Sequence, residues 1–206
     1  MTENSAAVVY IVDDDQGVRD SLRLLMQSVG LECETYASAA AFLKAYQRGR
    51  IDCLVVDIRM PGMSGLDLQQ ALIEDRVDIP TIFITGHGDV PMAVEAMKAG
   101  AMDFLQKPFR DQELLDRVNT ALQRARETFE DHLAIDEIRQ RLDALTPREA
   151  EVMELVVRGS ANKVIAMDLG VSQRTVELHR ARVMRKMQVR SLAELVRIVE
   201  RARGNA

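Results

Sequence analysis

Short runs of β-branched and aromatic residues alternate with helical patterns through the first half of the chain. Strand character falls on Val8–Val12, Glu32–Tyr36, Cys53–Val56, Thr81–Ile84 and Asp103–Leu105. Between them lie helix-like segments, each preceded by a residue able to cap it. Asp15 precedes Gln16, Ser38 precedes Ala39, Asp89 precedes Val90-Pro91, and Asp111 precedes Gln112–Leu122. Ser64 precedes Gly65-Leu66-Asp67, an acidic variant of the capping box. Strands alternating with helices predict an α/β domain, a parallel sheet covered by helices on both faces.

The pattern then becomes purely helical. Leu115, Val118, Leu122, Ala125 and Phe129 keep a 3-4 spacing, and so do Ile135, Ile138, Leu142 and Leu145, with a shift of phase between the two sets. That shift predicts a helix packed on its own domain followed by a connector, or alternatively a signalling helix or a dimer seam. At Thr146-Pro147-Arg148-Glu149 a full capping box starts a new unit, with proline in the first helical position. Helices are predicted over Arg148–Val157 and Asn162–Leu169, with Gly170 as a stop. Ser172 then caps a helix to about Met187, and a last helix covers Ser191–Arg203. A tight glycine turn between the middle two helices is a helix-turn-helix pattern. The expected organisation is an α/β domain over 1–125, a helical linker over 126–143 and an all-α four-helix domain over 144–206.

Charge separates the two parts. Residues 1–127 hold 13 basic and 20 acidic side chains, whereas residues 145–206 hold 12 and 7, within a chain of net charge −5. An acidic front and a basic tail suggest two jobs. No apolar run reaches the roughly 20 residues of a membrane span, and the first residues show no basic-then-apolar signal. A cytoplasmic protein without a membrane partner is therefore expected. Two cysteines, Cys33 and Cys53, read as thiols within strands and are too few for a zinc site.

The strand ends carry the chemistry. Asp13-Asp14-Asp15 closes the first strand, Asp57 the third and Thr85 the fourth, and Lys107 follows the fifth. In an open parallel sheet, functional groups collect beyond the carboxyl ends of the strands. Several acids crowded there need a cation, which points to a divalent metal with one aspartate left free to act. Asp15 reads better as a helix cap than as a ligand. Gly86-His87-Gly88 is a poor dinucleotide fingerprint, because the third glycine is missing. A phosphatase of the haloacid-dehalogenase type would need a second aspartate where Arg59 stands. His87, between glycines, reads as a loop residue.

Val8–Asp15, Leu54–Asp57 with Met60-Pro61-Gly62, Thr85 and Lys107-Pro108 resemble the receiver domain of two-component response regulators, over roughly residues 6–125. Thr85–Pro91 is similar to the FixJ branch of that family. The resemblance implies a flavodoxin-like, doubly wound sheet of five parallel strands. It implies that Asp57 accepts a phosphoryl group from a sensor histidine kinase. Asp13, Asp14, Asp57 and the backbone carbonyl of Arg59 would hold Mg²⁺, and Lys107 and Thr85 would meet the phosphoryl oxygens. Thr85 and Phe104 would form the switch, with homodimerisation on phosphorylation. Phe104 stands where many relatives carry tyrosine.

Leu145–Glu149, Asn162–Ala166 and Val171–Val176 resemble the LuxR-type (NarL/FixJ) DNA-binding domain. Residues 172–190 carry six basic side chains against Glu177. Val176, Val183 and Met187 fall on one helical stripe and are expected inside. The resemblance implies double-stranded promoter DNA as ligand and RNA polymerase as a further partner. The expected DNA contacts are Lys163, Gln173, Arg174, Thr175, Glu177, His179, Arg182 and Lys186. The protein so read is a transcription factor rather than an enzyme.

Overall fold

The computed structural model describes residues 7–86, 90–98 and 100–204, and the backbone alone over 90–93. The expected cap at Asp89 and the residue His87 lie outside these, as does Ala99. The described chain divides into two compact units, at Phe129 and Glu130.

The first unit alternates β1 (Val8–Val12), α1 (Gln16–Ser28), β2 (Glu32–Tyr36), α2 (Ala39–Ala45), β3 (Asp52–Asp57), α3 (Gly65–Glu74), β4 (Thr81–Thr85), α4 (Val90–Lys98) and β5 (Asp103–Gln106), with α5 (Asp111–Asp143) following. All strand pairs are parallel and the order is β2-β1-β3-β4-β5. Strand alternation sorts the core into two layers. Val8, Tyr10, Val12, Leu54, Val56 and Phe83 pack with Phe42 of α2, Leu68 and Leu72 of α3, and Ala96 of α4. Val9, Ile11, Val55, Ile82, Ile84 and Leu105 face the other way, against Leu22 and Met26 of α1 and Leu114 and Val118 of α5. Both faces of the sheet are thus covered, which is why β1, β3 and β4 are buried along their whole length.

Among the described residues the caps follow the sequence, except at Asp111. Asp15 accepts from the Gly17 and Val18 amides, Ser38 from Ala41, and Ser64 and Asp67 close the capping box. Asp111, expected as a cap, is instead the first residue of α5, and the Arg110 carbonyl accepts the first amide bonds. An acid in the first helical turn still favours the macrodipole.

The second unit contains α6 (Pro147–Val157), α7 (Asn162–Leu169), α8 (Gln173–Lys186) and α9 (Leu192–Gly204). Thr146 and Glu149 form the predicted capping box, with Pro147 at its start. Gly170 ends α7 at φ 64°, a left-handed conformation suited to glycine. The stretch expected as a helical linker over 126–143 is partly core: Ile138 and Leu142 pack, beside Leu145, with Val152, Ile165, Val176 and Leu195. No helix among the described residues is long and apolar enough to cross a membrane.

Candidate functional site

The β1–β3 register pairs Val12 with Val56, so Asp13 and Asp57 emerge side by side at the carboxyl edge. This is where the strand order reverses between β1 and β3, the crevice that parallel sheets leave open. On the far side, β4 and β5 pair Thr85 with Gln106, and the next residue is Lys107. The Lys107 amide donates to the Thr85 carbonyl at 2.7 Å, fixing where its stem starts. From there its ammonium reaches back to donate to Asp13 Oδ2 and Asp57 Oδ1, both at 2.8 Å. Asp13 and Asp57 are 2% and 8% exposed. Two buried carboxylates thus share one cation, which offsets the repulsion of like charges held side by side.

Each carboxylate is also held from its own loop. Asp57 Oδ2 accepts the Arg59 amide at 2.8 Å, and Asp13 Oδ1 accepts the Asp15 amide at 2.9 Å. Burial pushes the Asp57 carboxyl above its ordinary value, against the opposing pull of Lys107. Burial alone would lower the Lys107 pKa, but the hydrogen bonds to Asp13 and Asp57 outweigh it and raise it. The site therefore sets a charged ammonium beside a poorly solvated Asp57 carboxyl.

Thr85 is buried at the edge, and its hydroxyl donates to the Gly86 carbonyl at 3.3 Å. Asp14 is exposed beside Asp13. Phe104 is half-buried against the layer that includes Phe83, its ladder partner. One contributor was missed in the sequence. Arg19 Nη1 donates to the Asp13 carbonyl at 2.7 Å and braces the loop from α1. Its only signal was position, six residues after Asp13 and therefore just inside the first helical turn.

Oxygen donors suit a hard divalent cation. Among the described residues no group of three or more His, Cys, Asp or Glu has metal-holding geometry. Mg²⁺ does not need one, since it binds through one or two carboxylates and keeps several waters. Buried Asp13 and Asp57, already balancing a cation between them, fit that donor set.

Beside the acids, α1 and the Lys107-Pro108-Phe109 turn form a groove of about 560 Å³. Its walls include Val18, Leu22, Leu25 and Phe109, with Leu24 64% exposed at its lip. An apolar wall next to a charged crevice suits a protein helix better than a small polar substrate.

The second unit presents a separate surface. Val176 and Val183 on α8 and Met187 at its C-cap are buried as their spacing predicts. Gln173, Arg174, Glu177, Leu178 and Arg182 are exposed, as is Lys163 on α7, whereas Thr175 and His179 are half-buried. Thr175 Oγ1 lies 2.8 Å from Ser172 Oγ within the cap, and His179 Nδ1 is buried. Arg180 Nη1 donates to Asn162 Oδ1 at 2.8 Å and Arg148 Nη2 to the Leu169 carbonyl at 2.7 Å, fixing α7 against its neighbours. Lys186, expected on the outward side, is half-buried, and its ammonium donates to Glu149 Oε2 at 2.6 Å and the Ala144 carbonyl at 2.9 Å. It stands three residues after Val183 and next to Met187, so the edge of the buried stripe claims it.

Two family descriptions match the chain, the response regulator receiver domain over residues 9–119 and the luxR family of bacterial regulatory proteins over residues 143–199. The response regulator protein TodT of Pseudomonas putida is 46% identical over 200 residues, covering 97% of this chain and 88% of its own length. The transcriptional regulatory protein FixJ of Azorhizobium caulinodans is 49% identical over 190 residues, 92% of this chain and 90% of that protein. The solved structure of response regulator StyR matches with a TM-score of 0.84 at 47% identity, over 95% of this chain and 98% of that one.

Proposed function

The chain belongs to the FixJ-like two-component response regulators, a receiver domain joined to a LuxR-family DNA-binding domain, and within that family we propose that Asp57 is its phosphoacceptor. The observation carrying this is the Lys107 ammonium, 2.8 Å from both Asp13 and Asp57. In this reading an Asp57 oxygen attacks the phosphorus of a phosphohistidine on a sensor kinase. The new O–P bond forms as the N–P bond breaks, and the imidazole leaves. Phosphoryl transfer asks for in-line positioning and neutralisation of the equatorial oxygens. Lys107 follows the charge from the Asp57 carboxylate to a phosphoryl oxygen, and the Thr85 hydroxyl turns to donate to another.

Asp13, Asp14, Asp57 and the Arg59 carbonyl are the groups that would hold Mg²⁺, which supplies charge neutralisation at the transferring phosphoryl group. The groove along α1 is where the kinase helix bearing the histidine docks. In this reading the receiver promotes only its own phosphorylation and dephosphorylation, and the protein acts as a regulator rather than an enzyme.

The added phosphoryl brings about −2 charges. Thr85 moves towards it, Phe104 fills the space behind, and the α4–β5–α5 face pairs with a second copy. The paired chains present two α8 helices to a two-fold promoter site in the cytoplasm. There Lys163, Gln173, Arg174, Thr175, Glu177, His179 and Arg182 meet DNA, and RNA polymerase is the final partner. The N-terminal residues of such a helix reach base edges while arginines hold phosphates.

Incubation of the full chain with acetyl phosphate and Mg²⁺ tests this reading. Labelling is expected on the wild type and absent from Asp57→Asn, with the labelled form sedimenting as a dimer. Undiminished labelling of Asp57→Asn removes the assignment.

A further inference from the structure

Three helix termini meet on one ammonium in the second unit. Lys186 is the last residue of α8, Ala144 follows the end of α5, and Glu149 closes the first turn of α6. Glu149 Oε2 accepts both the Lys186 ammonium at 2.6 Å and the Thr146 amide at 2.9 Å. The Glu149 carboxylate is covered, and the Lys186 hydrogen bond leads the causes that hold its pKa down, to about 2. Turning Lys186 outward to a DNA phosphate would abandon a covered carboxylate and bring a like charge near it, both unfavourable.

We propose that Lys186 is a positioning residue, which sets the aim of α8 in the major groove without touching DNA. The proposal rests on the reading of α8 as the groove-facing helix. The contact of α8 with the core is apolar, through Val176, Val183 and Met184 with Met187 just past its end, and such contact attracts more than it fixes direction. Direction comes from the polar ties, Arg180 to Asn162 near the middle and Lys186 to Glu149 at the end. About 20 Å of helix separates Lys186 from Gln173 at 1.5 Å per residue. A tilt of about 5° at the Lys186 end therefore moves the base-reading end by about 2 Å, enough to break a hydrogen bond to a base edge.

The test measures binding of the full chain to a duplex selected by the wild type from a random pool, and to its scrambled version, across salt concentration. Lys186→Met and Glu149→Gln should each lower the ratio of selected to scrambled affinity about tenfold. The double variant should lose no more than either single one. Neither should change the slope of log K against log salt, whereas Arg182→Gln should reduce it by about 0.9, one phosphate contact. A slope reduced by about 0.9 in Lys186→Met with the ratio kept makes Lys186 a phosphate contact and overturns the proposal. So does a variant with ratio and slope both unchanged. Arg182→Gln without effect would take α8 off the DNA and overturn both readings together. If Lys186→Met does not fold, lysine acetylation of the wild type decides. Lys186 should react slowly with or without the duplex, and a Lys186 that reacts like exposed Lys163 and is protected by DNA overturns the proposal.

Discussion

Gly65 sits against the carbonyl oxygen of Asp57 so closely that a Cβ there would collide with it and press on Phe83. The Gly65 amide also donates to the Ile58 carbonyl at 3.0 Å, so the start of α3 is stitched to the loop that aims Asp57. Glycine is required by this close approach, not by an unusual backbone conformation.

Gly65→Ala is accordingly expected to push the Asp57 loop out of place. Overpacking of this kind costs about 1–3 kcal/mol. Urea unfolding followed by tyrosine fluorescence reports the first unit alone, because the chain has no tryptophan and its tyrosines are Tyr10, Tyr36 and Tyr46. The same variant should take up phosphoryl groups from acetyl phosphate more slowly. Wild-type stability together with a wild-type labelling rate would show that the loop absorbs the methyl group.

Lys107→Met leaves Asp13 and Asp57 facing each other without their shared cation. Burial already raises the Asp57 pKa and Lys107 opposes it, so the variant should raise it further. Carboxyl-carbon NMR titration in the absence of metal reads this directly. A value unchanged from wild type would mean that Lys107 is electrostatically idle at the site.

Asp52, at the opposite end of β3 from Asp57, gives the first unit a pH dependence of its own. It is buried, its Oδ2 has no hydrogen-bond partner, and desolvation raises its pKa to about 6, against the Tyr46 hydrogen bond and the Arg50 charge. A carboxyl with a raised folded value stabilises fully below the unfolded value of about 3.9, and that stability is lost as pH rises towards about 6. The loss amounts to about 3 kcal/mol at most, at about 1.4 kcal/mol per pKa unit. Asp52→Asn should flatten the profile between pH 4 and 6 and be the more stable form at pH 7, by the tyrosine signal. A variant less stable than wild type at pH 7 contradicts this account.

The second unit should respond in the opposite direction. Glu149 has its pKa lowered to about 2, led by the Lys186 hydrogen bond. That stability is present above the unfolded value of about 4.3 and is lost as pH falls towards 2. Amide exchange of α6 and α8 should accelerate over that window in the wild type and much less in Lys186→Met. Equal acceleration in both would detach Glu149 from the effect.

Much of this was legible in the sequence, because buried parallel strands write themselves as apolar runs and their ends as polar breaks. Asp13, Asp57 and Lys107 could be gathered by that rule alone. The rule also hid something: β3 begins at Asp52, a buried acid that an apolar search excludes by definition. Asp111 looked like a cap because an acid suits either side of a helix start, and only the Arg110 carbonyl distinguishes them. The phase shift along α5 was visible, but not that Ile138 and Leu142 belong to the second core. The Lys186 bond to Glu149 was not legible, because periodicity assigns a face and cannot name a partner 37 residues away.

The two bonds of Lys107 span 94 and 50 positions of the chain. Asp13 and Asp57 leave the ribosome long before the lysine that joins them, and β5, which delivers it, is a four-residue strand at the edge of the sheet. A truncated chain, or one whose last strand has peeled away, still displays Asp57 but lacks the ammonium. The charge balance of the Asp13–Asp57 pair is thus completed only when the last strand is in place, so the two acids meet their cation only in the finished domain.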